Sequence, residues 1–206
     1  MRIVFATGNK GKMNEIREIM ADVEVEVLSM KEAGIEADPE ENGTTFEENS
    51  LIKSKAIFEM LSDEDKKNTI VLADDSGLVV DGLNGEPGIY SARYMGKDTS
   101  YDLKNQNLID RLNEKGMVDP KERSARFVCC VSGVFPDGSS VVRRGTIEGY
   151  IGLAPMGENG FGFDPIFYLY DRNISTASIP PEEKNSISHR GNALRMIKED
   201  IKRYTI

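Results

Sequence analysis

A chain of 206 residues, 39% hydrophobic and 30% charged, has enough apolar material for one large α/β domain or two small lobes around a shared sheet, and is not disordered. Its formal charge of −9 repels nucleic acid on average, so a small anionic ligand needs a local basic pocket or a metal ion. The apolar start, residues 1–6, is too short for a secretory signal, no run nears the roughly 20 apolar residues that span a bilayer, and the expected location is cytoplasmic, without membrane partners.

Residues 2–6 read as a strand entering a glycine turn, Thr7-Gly8-Asn9, and from Lys12 the residues Met13, Ile16, Ile19 and Met20 recur at helical spacing. Residues 23–28 are a second candidate strand, and the acidic stretch 34–43 with Pro39 is an exposed loop. A second helix runs from Thr44-Thr45 to Leu61, with Ile52, Ala56 and Met60 on one face. Residues 70–73 form a short buried strand closed by Asp74-Asp75-Ser76-Gly77, which Leu78-Val79-Val80 can resume. Asn84-Gly85-Glu86-Pro87-Gly88 is a turn cluster, and a polar helix covers residues 101–115 with Leu108 and Leu112 at one spacing. Two strands, 124–135 and 139–150, flank the hairpin turn Pro136-Asp137-Gly138. Residues 154–165 are glycine-rich and irregular, and a last helix after Ser188 carries Ala193, Ile197 and Ile201 on its face. Cys129 and Cys130 are adjacent in a strand and point to opposite faces, so no disulfide between them is expected, and with no Cys or His elsewhere at ligand spacing neither is a zinc site. Helices between some strands, with a central hairpin, predict one compact α/β unit, a mixed β-sheet flanked by helices, with or without a smaller lobe built on the hairpin.

Five constellations carry candidate chemistry. The turn Thr7-Gly8-Asn9-Lys10-Gly11-Lys12 lies at a helix N-terminus, where free amides and the dipole suit a phosphate, although a plain strand–helix turn with solvated lysines has the same wording. Glu48 stands three residues after Thr45, which fits a capping box, or else a metal ligand with Lys53 further along the helix. Asp74 and Asp75 offer carboxylates to a hard cation or a proton to be abstracted from water, but strand alternation sends them to opposite faces unless the backbone bends. Gly160-Phe161-Gly162-Phe163-Asp164-Pro165 combines close backbone approach with rings that stack on a base, or is a loop pinned by two core phenylalanines. Lys184 and Ser188-His189-Arg190 concentrate donors near the head of the last helix, where Ser188 can also serve as a cap.

In order and wording, Thr7-Gly8-Asn9 with Lys12, Phe46-Glu47-Glu48-Asn49 with Lys53, Asp74-Asp75-Ser76-Gly77 followed by Pro87-Gly88-Ile89-Tyr90-Ser91-Ala92-Arg93, residues 160–165, and Ser188-His189-Arg190-Gly191 closely resemble the inosine triphosphate pyrophosphatase family. The resemblance runs from about residue 3 to residue 197. It implies an elongated, two-lobed single domain over residues 1–206 with a central active-site cleft, a homodimer, and magnesium-dependent cleavage of ITP, dITP and XTP to the monophosphate and pyrophosphate. Carried over by residue, Thr7, Gly8, Asn9, Lys10, Gly11 and Lys12 cradle the triphosphate with Lys53, while Glu48 and Asp75 hold Mg2+ and Asp75 accepts the proton of the attacking water. Ser76 touches the substrate, and Phe161, Gly162, Phe163, Asp164, Lys184, His189 and Arg190 surround the base. Two readings compete with it: a nucleotide-binding regulator without turnover, which has little use for the acids, and a pyrophosphatase for modified pyrimidines or dUTP, which would differ in the base pocket.

Overall fold

The structure, a computed structural model, describes residues 1–204. In chain order its elements are β1 (Arg2–Phe5), α1 (Lys10–Ile19), β2 (Glu26–Ser29), α2 (Phe46–Glu59), α3 (Asp63–Lys66), β3 (Thr69–Val80), α4 (Tyr101–Glu114), β4 (Ser124–Val134), β5 (Ser140–Ile151), β6 (Phe167–Tyr168), α5 (Pro181–Ile187) and α6 (His189–Ile201), with short 3-10 turns between them. The six strands form one sheet in the order β2-β1-β3-β4-β5-β6. It is mixed, as expected: β1 runs parallel to β2 and β3, and β6 antiparallel to β5. No helix among the described residues is long and apolar enough to cross a membrane.

The chain folds as two compact units, one of residues 1–75, 129–145 and 189 onward, the other of residues 76–128 and 146–188. In the first unit the strand period of two sorts the side chains into two layers. Ile3, Phe5, Ile70, Leu72, Cys129 and Val131 pack against Met13 and Ile16 of α1 and Ala193, Leu194 and Ile197 of α6. Val4, Ala6, Val71, Ala73 and Val134 pack against Ile57, Phe58 and Leu61 at the end of α2. The second unit has its own core, in which Leu108, Ile109 and Leu112 of α4 meet Leu78, Val80, Phe127, Ile151, Phe163 and Phe167. Arg123 is buried in that unit because its guanidinium is spent on carbonyls: Nε on Ile151, Nη2 on Gly152 and Nη1 on Met117.

Two expectations need correction. Asp74-Asp75-Ser76-Gly77 does not close a strand; β3 runs unbroken from Thr69 to Val80, because the aspartates are satisfied by side chains rather than by a local turn. The face of α2 is also turned the other way. Its buried residues are Phe46, Asn49, Ser50, Ser54, Ile57 and Phe58, while Met60 is exposed. Polar residues go inward because the sheet has partners for them: Ser132 of β4 donates its hydroxyl to the Ser50 carbonyl at 2.6 Å and lies 2.8 Å from the Ser54 hydroxyl. The sequence also gave no sign of β6, α3 or α5 as separate elements, each being short enough to be set by its surroundings.

Gly145 in β5 sits under the start of α6, and a Cβ there would overlap the His189 carbonyl and the Ala193 amide. Both obstacles are backbone, so they cannot rotate away. Gly145→Ala is expected to destabilise the fold by about 1–3 kcal/mol, which lowers Tm by several degrees at about 2–4 °C per kcal/mol in thermal unfolding.

Candidate active site

The turn after β1 is built as the sequence suggests. Asn9 caps α1, its Oδ1 accepting the Lys12 amide at 3.1 Å, and the Thr7 hydroxyl accepts the Asn9 amide at 3.2 Å. The first amides of such a helix have no partner within it and point out of its N-terminus. Gly8 and Lys10 are exposed, and a Cβ at Gly8 would meet no other atom within 4 Å, so nothing in the fold itself excludes a side chain there.

The period of two in β3 then delivers the acids to different sides. Asp74 continues the row of Ile70 and Leu72, which faces α1 and α6, and Asp75 continues the row of Val71 and Ala73, which faces α2. Asp74 is 1% exposed, and its Oδ2 lies 2.9 Å from Lys12 Nζ, 3.2 Å from Arg190 Nη2 and 3.9 Å from the Cys129 thiol. Burial opposes its charge, yet Lys12, Arg190 and Lys53 together hold the carboxyl well below the usual carboxylate range. Burial likewise pushes the Cys129 thiol up to about 12, with Asp74 adding to it, so this cysteine is no nucleophile.

On the other side, Asp75 Oδ2 accepts the Asn49 side-chain amide at 3.2 Å, and Oδ1 lies 4.0 Å from Lys53 Nζ. Asn49 and Lys53 are four residues apart in α2 and so share a face. Lys53 also pairs with Glu41 at 2.7 Å. Burial, together with the charge of Glu41, pushes the Asp75 carboxyl up to about 6 against the pull of Lys53 and Asn49. Burial works against the Lys53 ammonium, but Asp74, Asp75 and Glu41 outweigh it and raise its pKa. Glu48 is engaged at the head of α2, its Oε2 accepting the amide and the hydroxyl of Thr44 at 2.6 and 2.9 Å while Thr45 Oγ1 accepts the Glu48 amide at 3.1 Å. The capping alternative thus describes Glu48's contacts, and the acid whose field reaches Asp75 is Glu41. No local pattern singles out Glu41 in an acidic loop; the Glu41–Lys53 contact is made only by the folded chain.

In the second unit the turn 160–164 is organised by Asp164, which is 3% exposed. Its Oδ2 accepts the Phe161 amide at 2.9 Å and the Lys184 ammonium at 2.6 Å, and its Oδ1 accepts the Thr176 hydroxyl at 2.9 Å. Gly160 and Gly162 adopt φ of +76° and +70°, and a Cβ on Gly160 would strike the Asp164 carboxylate. Phe163 is buried edge-on against Tyr101, whereas Phe161 is partly exposed with Lys184 Nζ 5.1 Å from its ring centre. One face of the turn thus carries an aromatic ring flanked by a cation. Asn105 of α4 braces it from below, its Nδ2 donating to the Gly162 carbonyl at 3.2 Å. Ser76, next to Asp75 in β3, is half-buried. His189 is buried in the first unit at the start of α6, beside Arg190.

Comparison with known proteins finds relatives over nearly the whole chain. The Ham1 family model matches residues 3–200. The chain is 42% identical over 201 residues to a dITP/XTP pyrophosphatase of Clostridium perfringens, covering 98% of this chain and 97% of that protein. It is also 42% identical over 202 residues to a dITP/XTP pyrophosphatase of Bacillus anthracis, covering 97% and 96%. Its structure is similar to that of the Staphylococcus aureus Ham1 protein, with a TM-score of 0.83 and 40% identity over 99% of this chain and 100% of that one. A HAM1 protein from Coxiella burnetii gives a TM-score of 0.82 at 35% identity, covering 98% and 99%.

The raised carboxyl of Asp75 makes a stability prediction with a definite sign. A folded-state pKa of about 6 lies above the 3.8 of an unperturbed aspartate, so above pH 6 the folded protein carries a charge that it disfavours, and between about 6 and 4 it takes up the proton first and the cost disappears. In chelator-treated buffer Asp75→Asn is expected to be more stable than the parent by about 3 kcal/mol at pH 7.5, with the difference gone below about pH 4. Thermal unfolding across that pH range measures it, and a variant less stable at pH 7.5 would contradict the assignment.

Proposed function

The chain belongs to the Ham1 family, and on that footing we propose that it hydrolyses non-standard purine nucleoside triphosphates, ITP, dITP and XTP, to the monophosphate and pyrophosphate with the help of magnesium. The observation that carries this reading is the buried Asp75, poised near 6 between Lys53, Asn49 and Glu41. A base must be ionised near neutral pH yet hold a proton well enough to draw it from water, and a carboxylate raised by burial meets both demands.

The donor set fits magnesium. Among the described residues no group of three or more His, Cys, Asp and Glu side chains assembles to hold an ion, but two carboxylates, Asp75 and Glu41, flank one lysine. Magnesium is commonly held by one or two carboxylates with substrate phosphates completing its oxygen shell. Asp75 and Glu41 would hold it, with Glu48 of the sequence reading as a further acid at the head of α2. When bound, the ion supplies positive charge to the phosphates and neutralises the two acids.

The chain's own groups do the rest. The amides at the start of α1, the Thr7 hydroxyl, Asn9, Lys10, Gly11 and Lys12 bind the phosphates, and Lys53 adds charge where pyrophosphate departs. Asp75 orients a water toward the α-phosphorus and takes its proton as the bond to the leaving pyrophosphate breaks. Base choice falls to Phe161, whose ring can stack on a purine, with Gly162, Phe163, Asp164, Lys184 and His189, and Ser76 touches the substrate. Hypoxanthine and xanthine offer an acceptor at O6 and a donor at N1, whereas adenine reverses both. Fixed donors facing O6 leave a buried pair unmatched with ATP, a mismatch that can discriminate by about 10⁴–10⁵. The reading includes a homodimer, drawn from the resemblance, and the cytoplasmic setting expected from the sequence.

Pyrophosphate release from ITP, XTP, GTP, ATP and dUTP, with and without magnesium, tests the proposal. Strong magnesium-dependent release from ITP and XTP is expected, release mainly from dUTP would overturn the base assignment, and none from any would favour a binding protein. Asp75→Asn is expected to keep nucleotide binding and lose about 10²–10⁴ in turnover. Glu41→Gln is expected to raise the magnesium concentration for half-maximal activity more than Glu48→Gln; the reverse order would return the metal to Glu48.

A further inference from the structure

Resting on that triphosphate reading, we propose that Arg190 is a positioning residue of the phosphate site, holding the buried Asp74 carboxylate so that Lys12 can leave it for the substrate. Asp74 Oδ2 has two cations on it, Lys12 Nζ at 2.9 Å and Arg190 Nη2 at 3.2 Å. The two are set differently. The Arg190 side chain is 2% exposed and is tied a second time, its Nη1 donating to Glu15 Oε2. The Lys12 side chain is 18% exposed and stands in the first turn of α1, where its own amide is held by the Asn9 cap. Arg190 is thus the fixed partner and Lys12 the transferable one.

The arrangement answers an electrostatic problem. Stripping a buried carboxylate of its only counter-ion leaves a charge uncompensated in low dielectric, which is strongly unfavourable. If Lys12 alone neutralised Asp74, each phosphate that drew the lysine away would strand that carboxylate. Arg190 removes the penalty, because its planar fork spans Asp74 and Glu15 together and stays when Lys12 goes. Meanwhile Asp74 keeps the Lys12 ammonium ordered beside the phosphate turn before substrate arrives, so less side-chain freedom is lost on binding. The resemblance groups Arg190 with the base; its contacts assign it to the phosphate side.

Inorganic tripolyphosphate with magnesium, a probe that has no base, separates the two roles. Its affinity is measured by titration calorimetry for the parent, Arg190→Gln, Asp74→Asn and the double variant, alongside kcat and KM for ITP and ATP. Arg190→Gln is expected to weaken tripolyphosphate binding by about tenfold or more, since Lys12 then carries most of the neutralisation of Asp74, while the ITP-to-ATP ratio of kcat/KM is kept. Asp74→Asn with Arg190→Gln is expected to bind within about threefold of Asp74→Asn alone, because the carboxylate that held the lysine is gone. Parent-like tripolyphosphate affinity in Arg190→Gln with a lost ITP-to-ATP preference would overturn the proposal in favour of a base contact. Additive losses in the double variant would overturn it in favour of a purely structural role. Should Arg190→Gln not fold, the double variant, which removes the buried pair as a pair, and Arg190→Lys, which keeps one cation on Asp74, carry the test. Arg190→Lys is then expected to bind tripolyphosphate more tightly than Lys12→Gln, and the reverse order overturns the proposal. A parent that neither binds tripolyphosphate nor releases pyrophosphate from ITP would remove the functional reading itself, whereas an active parent with additive variants removes only the role of Arg190.

Discussion

The two-residue period of β3 governs the site of the first unit more than any single contact does. Because Asp74 and Asp75 are consecutive in an unbroken strand, one must face α1 and α6 and the other α2. The same backbone therefore supplies a deeply paired carboxylate on one face and a carboxyl raised to about 6 on the other. Two acids in one pocket would share their partners and couple their protons. Placed back to back, they part company: Asp74 is paired with Lys12 and Arg190, and Asp75 keeps a raised carboxyl.

That division also explains how a chain of charge −9 can attract an anion. Net charge sets the average field, but in the first unit Lys12, Lys53 and Arg190 are drawn together by Asp74, Asp75, Glu41 and Glu15. Mostly buried cations are screened less than surface ones, so their local field outweighs the distant acids. Asp74, Asp75 and Glu41 also offset the burial of Lys53, whose ammonium alone in an apolar setting would give up its proton. The second unit repeats the device on a smaller scale, with Lys184 paired to Asp164 and lying over the ring of Phe161.

Support for these side chains comes from unremarkable contacts placed where backbone approaches backbone. Ser132 reaches Ser50 and Ser54 and so seats the polar face of α2, which carries Asn49 and Lys53. Gly145 lets the start of α6 lie close to β5, and Arg190 is the second residue of that helix. In the second unit the left-handed Gly160 admits the Asp164 carboxylate that ties the turn.

The sequence by itself determined most of the scaffold and the identity of the motifs. Apolar spacing located α1, α4, α6, the β4–β5 hairpin and the mixed sheet, because these elements bury a regular face that a local pattern records. Strand alternation even foretold that Asp74 and Asp75 would part. What only the tertiary structure decided is partnership at a distance. The inward face of α2 depends on Ser132, about 80 residues away along the chain, so its apolar periodicity pointed to the wrong side. Glu41 meets Lys53 from an irregular loop that has no period to read, and Arg190 meets Asp74 and Glu15 across 116 and 175 residues of chain. Periodicity reports which face of an element is buried; which charge lies opposite another is set by packing, and there the chemistry of this protein is decided.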